Sequence, residues 1–374
     1  MKTIPYGHQC IDEKDINEVT KVLRSDWITQ GSKIEEFEKS VSQYTGAKYA
    51  VAVSSGTAAL HIAAIAAGIK KGDEVITTPL TFVASSNCVL YCGGKPVFTD
   101  IETQVPNIDP RDVKRKITKK TKALIPVDYS GHPCELDEIY EIAKKENLVV
   151  IEDAAHGLGA KFRDTKIGSC KLSDMTILSF HPVKHITTGE GGMVLTNDKE
   201  MYDKLIKLRN HGNTKNNLKR NEGPWFYEQQ MLGFNYRITD FQCALGLSQL
   251  KKLNDFVKKR RKIVETYNKE IKNPNLIKLP VEKKYCKSSW HLYYIQIKSP
   301  GKRKQIFEKL RAKNIGCQVH YIPVYLHPYY QDIGYRRGLC PNAEGFYKKV
   351  ISIPLFPTMK NSEIDYIVET LNKL

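Results

Sequence analysis

The chain has 374 residues, 41% hydrophobic and 26% charged, and its 58 basic against 41 acidic side chains give a net charge of +17. That length implies one large domain with a smaller one, and no run of about 18 apolar residues is present to span a membrane. The basic residues are scattered, with short clusters at 258–262 and 283–284, and no zinc-finger, basic-zipper or RNA-binding signature accompanies them, so the charge argues for solubility and steering rather than nucleic-acid binding.

In chain order, residues 1–6 lack an apolar signal core, and the protein is expected in the cytoplasm. Tyr49 to Val53 reads as a buried strand, followed by an alanine-rich helix over 56–67 that Gly68 and Gly72 end. Strands are expected at 74–78, 96–100, 123–128 and 148–153, with helices over 81–92, 110–118 and 135–146 between them. This alternation predicts a mostly parallel sheet between helices, with ligands gathering at the carboxyl ends of the strands. Short strands at 175–180 and 192–196 flank a loop rich in glycine near its end. A polar stretch over 210–235, which includes Asn213, Asn216 and Asn217, reads as a long loop. A single helical pattern runs over 239–271 and leads into a C-terminal part with strands near 292–297 and 317–321 and helices near 302–312, 342–350 and 362–373. Nine cysteines without a Cys-x-x-Cys pair suggest reduced, buried thiols, and neither a disulfide framework nor a metal site is expected.

Several residues along this pattern carry chemistry. Ser54-Ser-Gly-Thr57 joins a strand to a helix start, where free backbone N–H groups accept a phosphate or simply form a cap. Phe82 after the next strand is a core aromatic or a stacking platform for a flat ring. Asp153 ends a strand, where it caps a turn or pairs with a buried cation, and His156 lies three residues on. Lys184 sits in the loop between two apolar strands. A lysine desolvated there has a lowered pKa and can act as nucleophile or base.

The order of these segments resembles a known family, the DegT/DnrJ/EryC1/StrS aminotransferases that act on sugar nucleotides. The similar motifs are Ser55-Gly-Thr-Ala-Ala-Leu60, Pro79-Leu-Thr-Phe-Val-Ala84, Glu152-Asp-Ala-Ala-His156, Ser179-Phe-His-Pro-Val-Lys184, Glu190-Gly-Gly192 and Gly233-Phe-Asn-Tyr-Arg-Ile-Thr-Asp240. The resemblance implies an α/β fold-type I PLP-dependent transferase. Its large domain, with an N-terminal arm, would cover 1–245 and its smaller C-terminal α/β domain 246–374. It implies pyridoxal 5'-phosphate as cofactor, with Lys184 as the lysine bonded to its aldehyde. Asp153 would face the ring nitrogen, Phe82 would stack on the ring, and His156 would lie near it. Gly56, Thr57 and Ser179 would hold the phosphate, helped by Asn235 of the neighbouring subunit, because active sites in this family are shared within a homodimer.

Within the family the chain is most similar to members that aminate C4 of a UDP-linked 4-keto-6-deoxy-N-acetylhexosamine in pseudaminic acid biosynthesis. The similar features are Tyr6-x-x-x-Cys10, Ile28-Thr-Gln-Gly31, Ile186-Thr-Thr188 and Gln318-Val-His-Tyr321. By that similarity Tyr6, Asp26, Trp27, Ile28, Thr29, Gln318, Val319, His320 and Tyr321 would contact the UDP-linked keto-sugar, and L-glutamate would donate the amine. Another 4-keto sugar nucleotide, of legionaminic, bacillosamine or dTDP-sugar type, is the alternative. A dehydrase on the same scaffold would carry histidine in place of Lys184; His185 is one position off. A desulfurase would need a mobile cysteine near the motifs, and a cofactor-binding regulator an added DNA-binding domain.

Overall fold

The computed structural model describes residues 3–374 apart from 217 and 221. Among the described residues seven strands form the main sheet: β1 (Tyr49–Val53), β2 (Glu74–Thr77), β3 (Lys95–Phe98), β4 (Thr121–Ile125), β5 (Val149–Asp153), β6 (Met175–Ser179) and β7 (Gly192–Thr196). They lie in the order β1-β7-β6-β5-β4-β2-β3. Pairings from β3 through β6 are parallel, whereas β7 runs antiparallel to both β1 and β6. The expected mostly parallel sheet is therefore present, with β7 reversed because the loop after β6 folds straight back.

Alternation of side chains along each strand sends two sets of residues to two cores. Val51, Val53, Val75, Ile125, Ile151 and Ile177 pack with the helix Gly56–Ala66 on one face. Ala50, Ala52, Ile76, Leu124, Val150 and Leu178 pack with Phe37 and Val41 on the other. Buried on both faces, the strands read in the sequence as continuous apolar runs.

Two N-terminal helices, Glu13–Leu23 and Ser32–Thr45, precede the sheet and carry strong polar–apolar alternation that was not among the expected elements. The helix expected over 81–92 starts only at Ala84, and Phe82 lies outside it. The pattern over 239–271 is two helices, Asp240–Leu250 and Leu253–Glu270, because the chain tightens at Lys252, whose N–H donates to Gln249 O at 2.9 Å. That turn aims the Lys252 ammonium at Asp15 and Asp12 of the first helix, 2.5 and 3.0 Å away. The polar loop over 210–235 carries a short antiparallel pair, Asn213–Thr214 with Glu228–Gln229, and Asn217 falls outside the described residues.

A second core, built from Ile263, Tyr267, Tyr293, Ile295, Ile351, Ile367 and Leu371, underlies a separate sheet of Ile277–Lys278, Tyr293–Ile297 and Val350–Ile353. The helix expected over 342–350 stops at Tyr347, and Val350 opens a strand instead. Residues 317–321 are not a strand. Gln318 exchanges backbone hydrogen bonds with Ser352 (3.0 and 2.8 Å), and the chain then leaves the sheet as the His320 ring takes up the Ser352 hydroxyl at 2.8 Å. All nine cysteines are free, seven of them buried.

Asp15 is fully buried, and Lys252 is its one cationic partner among the described residues. Lys252→Ala should lower unfolding free energy by about 3 kcal/mol, the usual cost of leaving a buried charge unpaired. Urea titration monitored by circular dichroism checks this; a change near zero would show that Gln249 and the Asp12 N–H satisfy Asp15 without the cation.

Candidate active site

The carboxyl ends of β5 and β6 open into a cleft of about 850 Å³. Its floor is set by the loop between β6 and β7. Phe180 N–H donates to Gly191 O at 2.9 Å, Thr188 N–H to Phe180 O at 3.0 Å, and the Thr187 hydroxyl to Phe180 O at 2.9 Å. Phe180 and Ile186 are buried beneath it. Between these anchors a turn, Lys184 N–H to His181 O at 2.9 Å, presents the Lys184 side chain to the cleft. Loss of hydration brings its ammonium down to about 8, against the opposing pull of Asp153.

Asp153, the last residue of β5, is buried with its carboxylate in the same cleft. Ser85 Oγ donates to its Oδ2 at 2.6 Å and Ala155 N–H to its Oδ1 at 3.1 Å. Burial raises its pKa, while those two donors and then Lys184 hold it down. One buried anion thus shares the cleft with one half-buried amine, and a further cation placed at Asp153 would find an acceptor ready.

The wall at β1 is the start of the helix Gly56–Ala66. Ser55 Oγ caps Ala58 N–H at 3.0 Å, and Gly56 and Thr57 line the cleft with Ser179. A Cβ on Gly56 would stand 3.1 Å from that of Ser179, so glycine lets the helix end approach β6 closely. Phe82 projects into the cleft with 60% of its surface exposed, the position of a platform rather than a core residue. His156 is buried; its Nε2 meets the Tyr321 hydroxyl at 3.3 Å and its Nδ1 has no partner. Burial, ahead of the charge on Lys184, pushes its pKa well below the usual imidazole value, so it stays neutral.

The structure also brings Tyr6, Gln318, Val319, His320 and Tyr321 to this cleft, from opposite ends of the sequence. Asp26, Trp27, Ile28, Thr29 and Asn235 do not line it within one chain. They lie on the exposed surface, Thr29 paired with Thr239 and Asn235 with Asn210, and Trp27 is 66% exposed. His185 points away from the cleft and meets Ser289 O at 3.2 Å. No cysteine lines the cleft among the described residues. Two contributors escaped the sequence reading. Ser85, one turn past Phe82, was within reach of helical spacing; His291, whose ring lies 4.2 Å from that of His156, gave no local signal.

This donor set fits pyridoxal phosphate. The helix start, Thr57 and Ser179 would hold a phosphate, Phe82 would cover a ring, buried Asp153 would take a protonated ring nitrogen, and Lys184 offers an amine for an aldehyde.

Comparison with known proteins gives the same reading. Residues 9–372 match the model of the DegT/DnrJ/EryC1/StrS aminotransferase family. The chain is 40% identical to the spore coat polysaccharide biosynthesis protein SpsC of Bacillus subtilis, over 99% of this chain and 97% of that one. It is also 40% identical to the UDP-4-amino-4,6-dideoxy-N-acetyl-beta-L-altrosamine transaminase of Campylobacter jejuni, over 98% and 96%. Among solved structures, PseC of Helicobacter pylori, an aminotransferase of pseudaminic acid biosynthesis, superposes with a TM-score of 0.93 at 34% identity, covering 100% of this chain and 99% of that one. Spr1654 of Streptococcus pneumoniae in its PLP form matches with a TM-score of 0.93 at 31% identity, covering 99% and 98%.

Covalent capture of an aldehyde needs the neutral amine, so capture of pyridoxal phosphate should rise with pH to a midpoint near 8. In Asp153→Asn the carboxylate that stabilises the ammonium is gone, and the midpoint should move lower. Spectrophotometric titration of the apoprotein reads both; a midpoint near the ordinary lysine value, or an upward move in the variant, contradicts the arrangement.

Proposed function

The chain belongs to the DegT/DnrJ/EryC1/StrS aminotransferase family, and on that premise we propose that it transfers an amino group from L-glutamate to a UDP-linked keto-sugar. The acceptor carbon is C4 of a 4-keto-6-deoxy-N-acetylhexosamine, as in pseudaminic acid biosynthesis. The reading of amino transfer rests on one observation above all: Lys184, its pKa lowered to about 8, shares a cleft with the buried Asp153 carboxylate. The finer reading of the acceptor draws on the names of the Campylobacter and Helicobacter relatives.

Pyridoxal phosphate, when bound, supplies an aldehyde that takes up an amino group and a ring that withdraws electrons from the adjacent carbon. Asp153 would keep the ring nitrogen protonated by charge pairing, while Gly56, Thr57 and Ser179 would anchor the phosphate and Phe82 would cover the ring. Lys184 Nζ, partly neutral near pH 8, takes the proton from the glutamate α-carbon and returns one to C4 of the acceptor. His156, neutral at that pH, hydrogen-bonds without adding charge. Tyr6 and the segment 318–321 close over the sugar. Asp26 to Thr29 and Asn235, exposed on one chain, complete the cleft of a second copy in a homodimer. We place this chemistry in the cytoplasm, where nucleotide sugars are made.

Lys184→Ala should lower turnover by at least about 10³-fold, as loss of a positioned acid–base group does, while far-ultraviolet circular dichroism stays unchanged. Turnover within a few-fold of wild type would remove Lys184 from its role. For the acceptor, the enzyme with glutamate and a panel of UDP-, GDP- and dTDP-linked 4-keto-6-deoxy sugars should give an amine at C4 of the UDP-N-acetylhexosamine by NMR. Preference for a dTDP- or GDP-linked sugar would reject that substrate and leave the amino transfer standing.

A further inference from the structure

β5 sends its last two side chains to opposite faces, Asp153 to the cleft and Glu152 to the core behind it. In that core Glu152 Oε2 accepts from Thr176 Oγ1 at 2.7 Å and Ser173 Oγ at 3.2 Å. Asp128, on the segment that follows β4, is fully buried, and its Oδ1 accepts from Cys134 N–H at 3.0 Å. The other oxygen of each, Glu152 Oε1 and Asp128 Oδ2, is buried with no hydrogen-bond donor, and the two carboxyl groups are neighbours that act on each other.

Two ionised carboxylates cannot satisfy each other, because each only accepts. A hydrogen bond between them requires one proton, as in other carboxyl pairs that share a site. Neither carboxyl has an ion pair among the described residues; the titratable neighbours are Asp153 and the thiols of Cys134, Cys170 and Cys286. Burial, with the charge on Asp153, favours retention of a proton in the pair. A Cβ on Gly157 would intrude to 2.8 Å from Asp128 Oδ2, so a glycine leaves the pair its space.

The pair stands where the backbone holds the catalytic strand end. Asp128 N–H donates to Asp153 O at 3.1 Å, and Asp153 N–H to Pro126 O at 2.8 Å. We infer that Asp128 and Glu152 share one proton at neutral pH and form a positioning pair that fixes the strand end bearing Asp153. The shared proton stands on two buried carboxyl oxygens that lack a donor; the positioning role rests on the reading of Asp153 as the partner of the cofactor's ring nitrogen.

The sign of the pH effect follows. In the unfolded chain both carboxyls ionise near their ordinary values, whereas the folded pair keeps one proton to higher pH. Stability from the pair is therefore full in acid and is lost as pH rises through its raised ionisation. An amide in place of either carboxyl donates the same hydrogen bond without a titrating proton. In the double variant Asp128→Asn/Glu152→Gln, two amide donors face each other, since the oxygens are committed to Cys134 and Thr176.

Infrared spectra of the apoprotein at neutral pH test the proton directly. A neutral-carboxyl C=O band that shifts in D2O is expected in wild type and in Asp153→Asn, and should be absent from Asp128→Asn and from Glu152→Gln. A band missing from wild type, or surviving in both amide variants, overturns the shared proton. Each single amide variant should also flatten the fall of Tm with rising pH and hold pyridoxal phosphate within about twofold of wild type. The double variant and Glu152→Ala should release it about tenfold more readily, on the scale of outer-layer partners elsewhere. If Glu152→Ala does not fold, the double variant carries this comparison. Wild-type retention in the double variant overturns the positioning role and leaves Asp153 untouched; failure of wild type to hold pyridoxal phosphate would instead count against the proposed function.

Discussion

An amine and a carboxylate withdrawn from water at the same end of one sheet are the constraint on which the structure depends. Lys184 loses hydration and with it part of its charge; Asp153 is buried and opposes that loss. Neither group would be tolerated there without support. Ser85 and the Ala155 N–H supply donors to Asp153, and the loop between β6 and β7 is bonded to itself tightly enough to fix Lys184. The parallel run of strands from β4 to β6 brings both residues to one edge, and alternation along β5 and β6 puts Asp153 and Ser179 on the face that carries the helix starting at Gly56.

The second core matters because it completes this cleft. Its segment 318–321 and the N-terminal Tyr6 approach from positions more than 300 residues apart in the chain, joined where Leu355 N–H donates to Tyr6 O at 3.1 Å. His291 enters from the same side, and its ring backs that of His156. The histidines gathered there, His156, His185, His291 and His320, are all held neutral by burial first and by surrounding positive charge second. Among these five groups, burial brings Lys184 down to about 8.

Much of the sheet was legible because its strands are buried on both faces and so appear as apolar runs. Lys184, Asp153, Gly56, Thr57, Phe82 and His156 were legible for a related reason: each stands at or just beyond a strand end, where local pattern and spatial position coincide, while Ser179, the last residue of β6, was expected from the family motif. The pattern failed where position depends on distant partners. Residues 317–321 look like a strand, yet only Gln318 pairs, because the Ser352 hydroxyl holds the His320 ring out of register. The continuous helical pattern at 239–271 hides a break made for Asp15, some 235 positions away. His291 and Asp128 have no local signature at all; the tertiary fold alone gives them meaning. Asp26 to Thr29 were expected at a ligand and lie outside their own chain's cleft, as does Asn235, which was expected to act on the neighbouring subunit.

The account is tested most directly by reducing the pyridoxal phosphate–loaded protein with borohydride and mapping the labelled peptide by mass spectrometry. It predicts a single pyridoxyl label on Lys184, in the peptide that spans β6 and β7. A label on another lysine, or a protein that takes up none, would contradict it.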